Sequence, residues 1–272
     1  MVIFPKAKIN IGLRIIEKRS DGFHNLQTIF YPVCLCDAIE FIVPEVFLRE
    51  DVLQVTGIMT SQTPASNLVM KAIKRIRESG NIPFLKVHLH KAIPMGAGLG
   101  GGSSDASGII KSLNRHFNLE ISDEKLKEIS LELGSDCPFF IDSVPAYAER
   151  RGEYLTLIKP LSEGYHLIIV NPGIHINTKE AYSNCSPKLP DTNLKDLYNL
   201  EITEWKDLII NDFEESIFRI YPQIADLKKS LYDMGAVYSS MSGSGSTVYG
   251  IFKMKPVVPS FLSNLVIYSG DL

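Results

Sequence analysis

The sequence predicts a two-domain α+β protein, with an N-terminal mixed α/β domain over residues 1–160 and a smaller sheet-and-helix domain over 161–272. Three observations lead there. The 272 residues reach the size at which a single hydrophobic core stops growing and chains divide. Strand-like alternation and helical spacing interleave along the chain. Around Lys159–Gly164, Pro160, Ser162, Glu163 and Gly164 interrupt the pattern just ahead of an apolar run, His166–Val170.

The elements follow in order. Ala7, Ile9, Ile11, Leu13 and Ile15 share one parity, and Lys6, Lys8, Asn10 and Arg14 the other. Period two predicts a half-buried strand that presents Lys8 and Asn10 on its polar face. Ser20-Asp21-Gly22 reads as a turn, and strands follow at Thr28–Leu35 and Ala38–Val43. Val69, Ala72, Ile73 and Ile76 carry helical spacing. With Ser66 or Asn67 as N-cap and Gly80 as stop, a helix is expected over 67–79. Lys86–Lys91 alternates like a strand and runs into a glycine-rich loop. Beyond the loop, Ala106, Ile109, Ile110, Leu113 and Phe117 form the apolar stripe of a helix. Ser122 caps another helix, with Asp123 and Glu124 in its first turn and Gly134 past its end. An apolar strand is expected after Asp136. The C-terminal part reads as strand His166–Val170, an irregular stretch over 171–193, then helices. The last of these ends at Gly235, before strand 236–241, the tight Ser242–Gly245 and strand Thr247–Phe252.

Composition excludes several classes. A balance of 28 Lys+Arg against 31 Asp+Glu gives a net charge of −3, with one dense basic stretch, Lys71–Arg77. Proteins that hold nucleic acid by neutralising phosphates are usually basic overall or along a stripe, so no nucleic-acid partner is expected. Any anionic ligand must be held by local donors. Cys34, Cys36, Cys137 and Cys185 form no C-x-x-C pair and fall far below disulfide-scaffold density, which suits reduced thiols in a cytoplasmic protein. The N-terminal residues form neither a secretory nor a transit segment. No run approaches the ~18 apolar residues of a membrane span, so no membrane partner is expected either.

The strongest chemical signal is the loop. Five glycines fall among residues 96–102, between a strand and a helix start. Glycine lets successive backbone N–H groups converge on an anion, and the helix dipole adds positive potential. Ser103 and Ser104 can add hydroxyl donors or a metal contact. The bland alternative is a flexible turn or close helix–strand packing. No Lys-Ser/Thr pair follows, so this is not a Walker A loop. Gly96, Gly98 and Gly101 satisfy G-x-G-x-x-G, but Asn118–Ile121 is too short and polar for the second strand of a dinucleotide fold. Asp136 alone reads as a helix-end or turn residue and Lys8 alone as a surface lysine. Together beside a triphosphate they would suit phosphoryl transfer to an alcohol: the Asp takes the hydroxyl proton and the Lys offsets developing charge. His88 and His90 share a strand face without a third ligand of suitable spacing.

The run Pro94-Met95-Gly96-Ala97-Gly98-Leu99-Gly100-Gly101-Gly102-Ser103-Ser104 resembles the phosphate loop of the GHMP kinases, the family of galactokinase and of homoserine, mevalonate and phosphomevalonate kinases. Ala7-Lys8-Ile9-Asn10, Arg19-Ser20-Asp21-Gly22-Phe23-His24 and Leu133–Phe140 narrow the resemblance to members that phosphorylate a cytidine diphosphate-linked methylerythritol in non-mevalonate isoprenoid synthesis. Ser242–Ser246 is similar to the family's C-terminal glycine motif.

The resemblance implies a ferredoxin-like second domain, an active site in the cleft between domains, ATP as phosphoryl donor and Mg²⁺ as cofactor. It puts Lys8 and Asp136 at the catalytic pair and Pro94–Ser104 on the ATP phosphates. Asn67 and Lys91 match nucleoside contacts. Asn10, Phe23, His24, Thr178 and Tyr182 match the substrate side, with the cytosine between Phe23 and Tyr182. The metal ligands and the oligomeric state stay open. Three residues depart from the family pattern: Lys6 stands where Pro is common, Phe23 where Tyr is frequent, and Asp105 where Asn is common. Asp105 then faces the dipole at the helix start or touches the metal. The alternatives are another GHMP kinase of homoserine or mevalonate type, a related decarboxylase, or a non-catalytic nucleotide-binding regulator.

Overall fold

The structure is a computed structural model that describes residues 1–58 and 63–272. The chain forms two compact units. One comprises Met1–Lys8, Pro32–Met95 and Gly100–Val144, and the other Ile9–Tyr31, Gly96–Leu99 and Pro145–Leu272. The interruption at 159–164 therefore lies inside the second unit. The N-terminal strands join that unit because Leu26–Phe30 pairs antiparallel with Ala146–Arg150.

In the first unit, a four-stranded sheet runs in the order Val2–Ile3, Ala38–Ile42, Lys86–Lys91, Val52–Gly57. Val52–Gly57 pairs parallel with Lys86–Lys91, and the helix Leu68–Arg77 connects the two strands. Its N-cap is Asn67, whose side chain accepts the Val69 N–H at 2.9 Å. Val69, Ala72, Ile73 and Ile76 are the buried face, as their spacing predicts. The helix Gly101–His116 packs beside it, burying Ala106, Ile109, Ile110 and Leu113. Asp123–Leu131 starts at its Ser122 cap.

Residues Cys137–Asp142, expected as a strand, are a helix. A six-residue apolar run has too little length to reveal its period, and Pro138 in the first turn is the usual helix-start proline.

The long N-terminal strands belong to a sheet ordered Lys6–Lys18, His24–Cys36, Ala146–Arg150, Tyr154–Leu157, of which residues 9–18, 24–31 and the last two strands fall in the second unit. A second, antiparallel sheet has the order Tyr238–Met241, Val248–Phe252, His166–Val170, Val266–Asp271. Helices Phe213–Ile220 and Pro222–Asp233 share a core with it that includes Ile168, Val248 and Phe252. Two expectations change here. Residues 171–193 are not wholly irregular, since Thr178–Ser183 is a helix capped by Asn177. And Lys6–Lys18 is not half-buried: Ala7 to Leu13 are buried on both parities. No helix among the described residues is long and apolar enough to cross a membrane.

Candidate active site

In the first unit the structure brings Lys8 and Asp136 together. Lys8 Nζ lies 3.5 Å from Asp136 Oδ2. Lys8 is 3% exposed, and burial pulls its pKa below the ordinary 10.5, with the Asp136 charge opposing that shift. Asp136 is the N-cap residue of Cys137–Asp142, so its position is set by a helix end rather than by a strand. Its side chain makes no capping bond, which leaves the carboxylate for Lys8. The neighbouring Cys137 is fully buried, and burial pushes its thiol up to about 11, so it is no nucleophile.

Beside this pair stands the start of helix Gly101–His116. Its N-cap, Gly100, has φ 69° and makes no side-chain cap. A Cβ there would come within 2.7 Å of Phe140 Cζ and 3.2 Å of Lys8 Cε, so only glycine fits. The first backbone N–H groups of a helix have no intrahelical partner, and without a capping side chain they are available to an anion. Ser104 faces inward and donates to the Lys6 carbonyl at 2.6 Å, whereas Ser103 is half-buried. Pro94 and Met95, half-buried, open the loop.

The earlier half of the loop belongs to the second unit. Ala97 and Leu99 are its buried anchors, and Gly96 is exposed. Gly98 has φ 79° and lies against the Ser242 carbonyl, and Ser242 Oγ donates to the Gly98 carbonyl at 2.8 Å. The C-terminal glycine turn thus braces the loop. Asn211, which carried no sequence signal, braces that turn in its own way: its Nδ2 donates to the Met241 and Gly243 carbonyls at 2.7 and 2.8 Å.

Asn10, expected on the substrate side, is 2% exposed and knitted into this unit. Its Nδ2 donates to Thr28 Oγ1 at 2.8 Å, its N–H to Ser242 Oγ at 3.1 Å, and its carbonyl accepts from Tyr249 at 2.8 Å.

The other substrate-side candidates also lie in the second unit. Tyr182 stacks on His24, with ring centroids 4.8 Å apart and 18° between planes, and meets Phe213 edge-on. Phe23, expected on the other side of the cytosine from Tyr182, is half exposed, with the Arg151 guanidinium 4.9 Å from its ring centre. Burial and then Lys18 lower the His24 pKa, which favours a neutral imidazole able both to donate and to accept. Arg19 grips Asp21 with three bonds of 2.8–3.1 Å, and Asp21 Oδ1 accepts the Phe23 N–H at 3.1 Å, which shapes the turn. The Arg19 hydrogen bond holds the Asp21 carboxyl below its ordinary value. Thr178 Oγ1 lies 3.2 Å from Ser244 Oγ.

Lys91 and Asp105, expected on the nucleotide side, are bonded to each other, and Lys91 Nζ lies 3.3 Å from where a Cβ on Gly101 would stand. Lys91 is 2% exposed and donates to Asp105 Oδ2 at 2.7 Å and to Asp37 Oδ2. Asp37, buried between two alternating strands, had no motif to mark it. Thr56 Oγ1 bridges His88 Nε2 at 2.8 Å and His90 Nδ1 at 3.0 Å, so the two histidines have a protein partner. Among the described residues no three His, Cys, Asp or Glu side chains gather into a metal-binding group.

Comparison with known proteins identifies the family. The models of the GHMP kinases N terminal domain and the GHMP kinases C terminal match residues 67–143 and 194–265. A 4-diphosphocytidyl-2-C-methyl-D-erythritol kinase of Bacteroides fragilis is 45% identical over 252 residues, covering 93% of this chain and 92% of the relative. The enzyme of the same name from Bacteroides thetaiotaomicron is 43% identical over 274 residues and the whole of both chains. A crystal structure of 4-(cytidine 5'-diphospho)-2C-methyl-D-erythritol kinase superposes with a TM-score of 0.81 at 27% identity, covering 100% of this chain and 98% of that one.

Proposed function

The chain belongs to the GHMP kinase family, and from that membership we propose that it transfers the γ-phosphoryl group of ATP to the 2-hydroxyl of 4-diphosphocytidyl-2-C-methyl-D-erythritol. Its close relatives carry this activity in their names over their full length, which disfavours the homoserine and mevalonate readings. Within the chain, the observation that carries the proposal is the Lys8–Asp136 pair beside Gly100, at the start of a helix with no capping side chain.

The substrate oxygen attacks the γ-phosphorus, the bond from that phosphorus to the β-bridging oxygen breaks, and ADP leaves with the electron pair. Asp136 accepts the hydroxyl proton. Lys8, paired with Asp136, offsets charge on the transferring group. The loop N–H groups hold the phosphates, so most of the rate comes from positioning and electrostatics. Magnesium suits an oxygen-only setting with few protein ligands, since it keeps its waters and binds substrate phosphates. Ser103 would offer it a hydroxyl oxygen, and the ion would neutralise charge on the phosphates. His24 and Tyr182 recognise the cytosine, by hydrogen bonding to its edge and by stacking. A cytoplasmic setting rests on the sequence grounds given above.

The test is incubation with Mg-ATP and a panel of the cytidyl alcohol, homoserine and mevalonate, with products read by mass spectrometry. Phosphorylation of the cytidyl alcohol alone is expected; a phosphorylated homoserine or mevalonate in its place overturns the assignment.

A further inference from the structure

The chemistry above leaves one buried charged cluster unused. Asp37 is fully buried, and its carboxylate holds three consecutive residues. Oδ1 accepts the N–H groups of Ala92 and Ile93 at 2.6 and 2.8 Å, and Oδ2 accepts from Lys91 Nζ. Lys91, Ala92 and Ile93 are the residues that lead into the loop at Pro94. Lys91 Nζ then reaches past the loop to Asp105 Oδ2 at 2.7 Å, on the helix that follows. The Asp37 N–H donates to the Pro5 carbonyl at 3.0 Å, three residues before Lys8, and Ser104 Oγ donates to the carbonyl of Lys6.

We infer that Asp37 is a positioning residue: with Lys91 and Asp105 it clamps both ends of the glycine loop, so that Lys91 acts on the nucleotide through the loop and not by touching it. This rests on the reading of the loop as the triphosphate site.

The geometry favours a clamp over a direct contact. The Lys91 ammonium is buried and already bonded to two carboxylates. Two carboxylates facing one ammonium leave the cluster without surplus positive charge, which is poor design for attracting a polyanion. Burying these ionisable groups costs desolvation energy, which raises the Asp105 carboxyl to about 7 and which fixed geometry must justify. Every bond made by Asp37 restrains main chain or the residue tied to Asp105. The phosphate-binding N–H groups are themselves main chain, and a misplacement of about 1 Å in such a site costs on the order of 100-fold in rate.

The two accounts predict opposite signs. If electrostatics alone matters, Asp37→Asn removes a negative charge near the triphosphate and tightens ATP binding. If Asp37 clamps the loop, the same change weakens it. The experiment uses the full chain and measures KM for Mg-ATP, KM for the cytidyl alcohol, the Kd of a non-hydrolysable ATP analogue, and Tm.

Asp37→Asn is expected to raise the ATP KM and the analogue Kd by roughly tenfold or more, with the acceptor KM little changed. Asp105→Asn, which leaves the bonds from Asp37 to Lys91, Ala92 and Ile93 in place, should move the same two quantities in the same direction by less. Lys91→Met combined with Asp37→Asn should cost less than the product of the single effects, since both act through one clamp. A merely structural role would lower Tm and move both KM values together. If Asp37→Asn does not fold, Asp105→Asn carries the test by itself. A folded Asp37→Asn or Asp105→Asn enzyme with unchanged or tighter ATP binding overturns the clamp. So does an effect of Lys91→Met that multiplies independently with that of Asp37→Asn. A wild-type protein that binds neither Mg-ATP nor the analogue defeats the kinase reading itself, and the clamp with it.

Discussion

Lys8 and Asp136 meet asymmetrically: Nζ and Oδ2 are 3.5 Å apart, yet the lysine side chain is 4% exposed and the aspartate side chain 34%. A buried cation thus backs a carboxylate that remains open to a ligand. This is the order a proton acceptor needs, with its partner behind it and its free lone pairs in front.

Asp136→Asn keeps the shape of that side chain and removes its capacity to take a proton. A positioned general base contributes about 10²–10⁴-fold. The variant should lose kcat by about that factor while the KM for ATP changes little, as measured by coupled ADP release. Near wild-type turnover would remove Asp136 from the base role.

The environment of Lys8 gives a pH prediction. Its pKa is lowered from 10.5, first by burial, with Asp136 partly restoring it. The protonated form is the active one, so activity is present below the folded pKa and is lost as pH rises through it. The alkaline fall in kcat/KM should therefore begin at a lower pH than an ordinary lysine would give. In Lys8→Arg that limb should vanish, because a guanidinium stays protonated. A limb that persists unchanged in Lys8→Arg would assign it to another group.

Gly98 is held by sterics as well as by its dihedral angle. At φ 79° a side chain is strained, and a Cβ would strike the Ser242 carbonyl oxygen. Gly173, at φ 73° in open space, separates the two effects. Gly173→Ala should show backbone strain alone, about 1 kcal/mol. Gly98→Ala should cost about 1–3 kcal/mol more and raise the KM for ATP, because the loop must shift. Denaturant unfolding of both variants measures the difference; equal losses would mean that the Ser242 contact gives way freely.

Tyr182 lies face-on to His24, at 4.8 Å between ring centres. Base–aromatic stacking is worth about 1–3 kcal/mol per base, equivalent to roughly 5- to 150-fold in affinity. Tyr182→Leu should raise the KM for the cytidyl alcohol within that range and leave the KM for ATP unaltered, whereas Tyr182→Phe should retain most of the binding. Equal effects on both substrates would show that Tyr182 supports the fold around Phe213 and not the base.

Much of the site was legible because its signals are local. The glycine run, the helix stripe after it, and the Asn67 and Ser122 caps act over a few residues each, and each stands where its spacing predicted. Other features escaped for definable reasons. Alternation in Lys6–Lys18 separates two faces but does not say which is solvated; here the polar face is buried too. The helix Cys137–Asp142 is too short to display a period. Asp37 has its partners at residues 91–93, more than 50 positions away, where no spacing rule reaches.

By itself the sequence determined the family, the glycine-rich loop between a strand and a helix start, and the principal helices with their caps. Composition, periodicity and capping are properties of neighbouring residues and survive without a fold. The tertiary structure alone decided which charges meet. Lys6 stays exposed while Lys8, two residues on, is buried against Asp136. Lys91 turns to Asp37 and Asp105, and Asn10 to Thr28 and Ser242. The reason is physical: a charged or amide group taken out of water must find its partner among whatever distant segments packing brings to it.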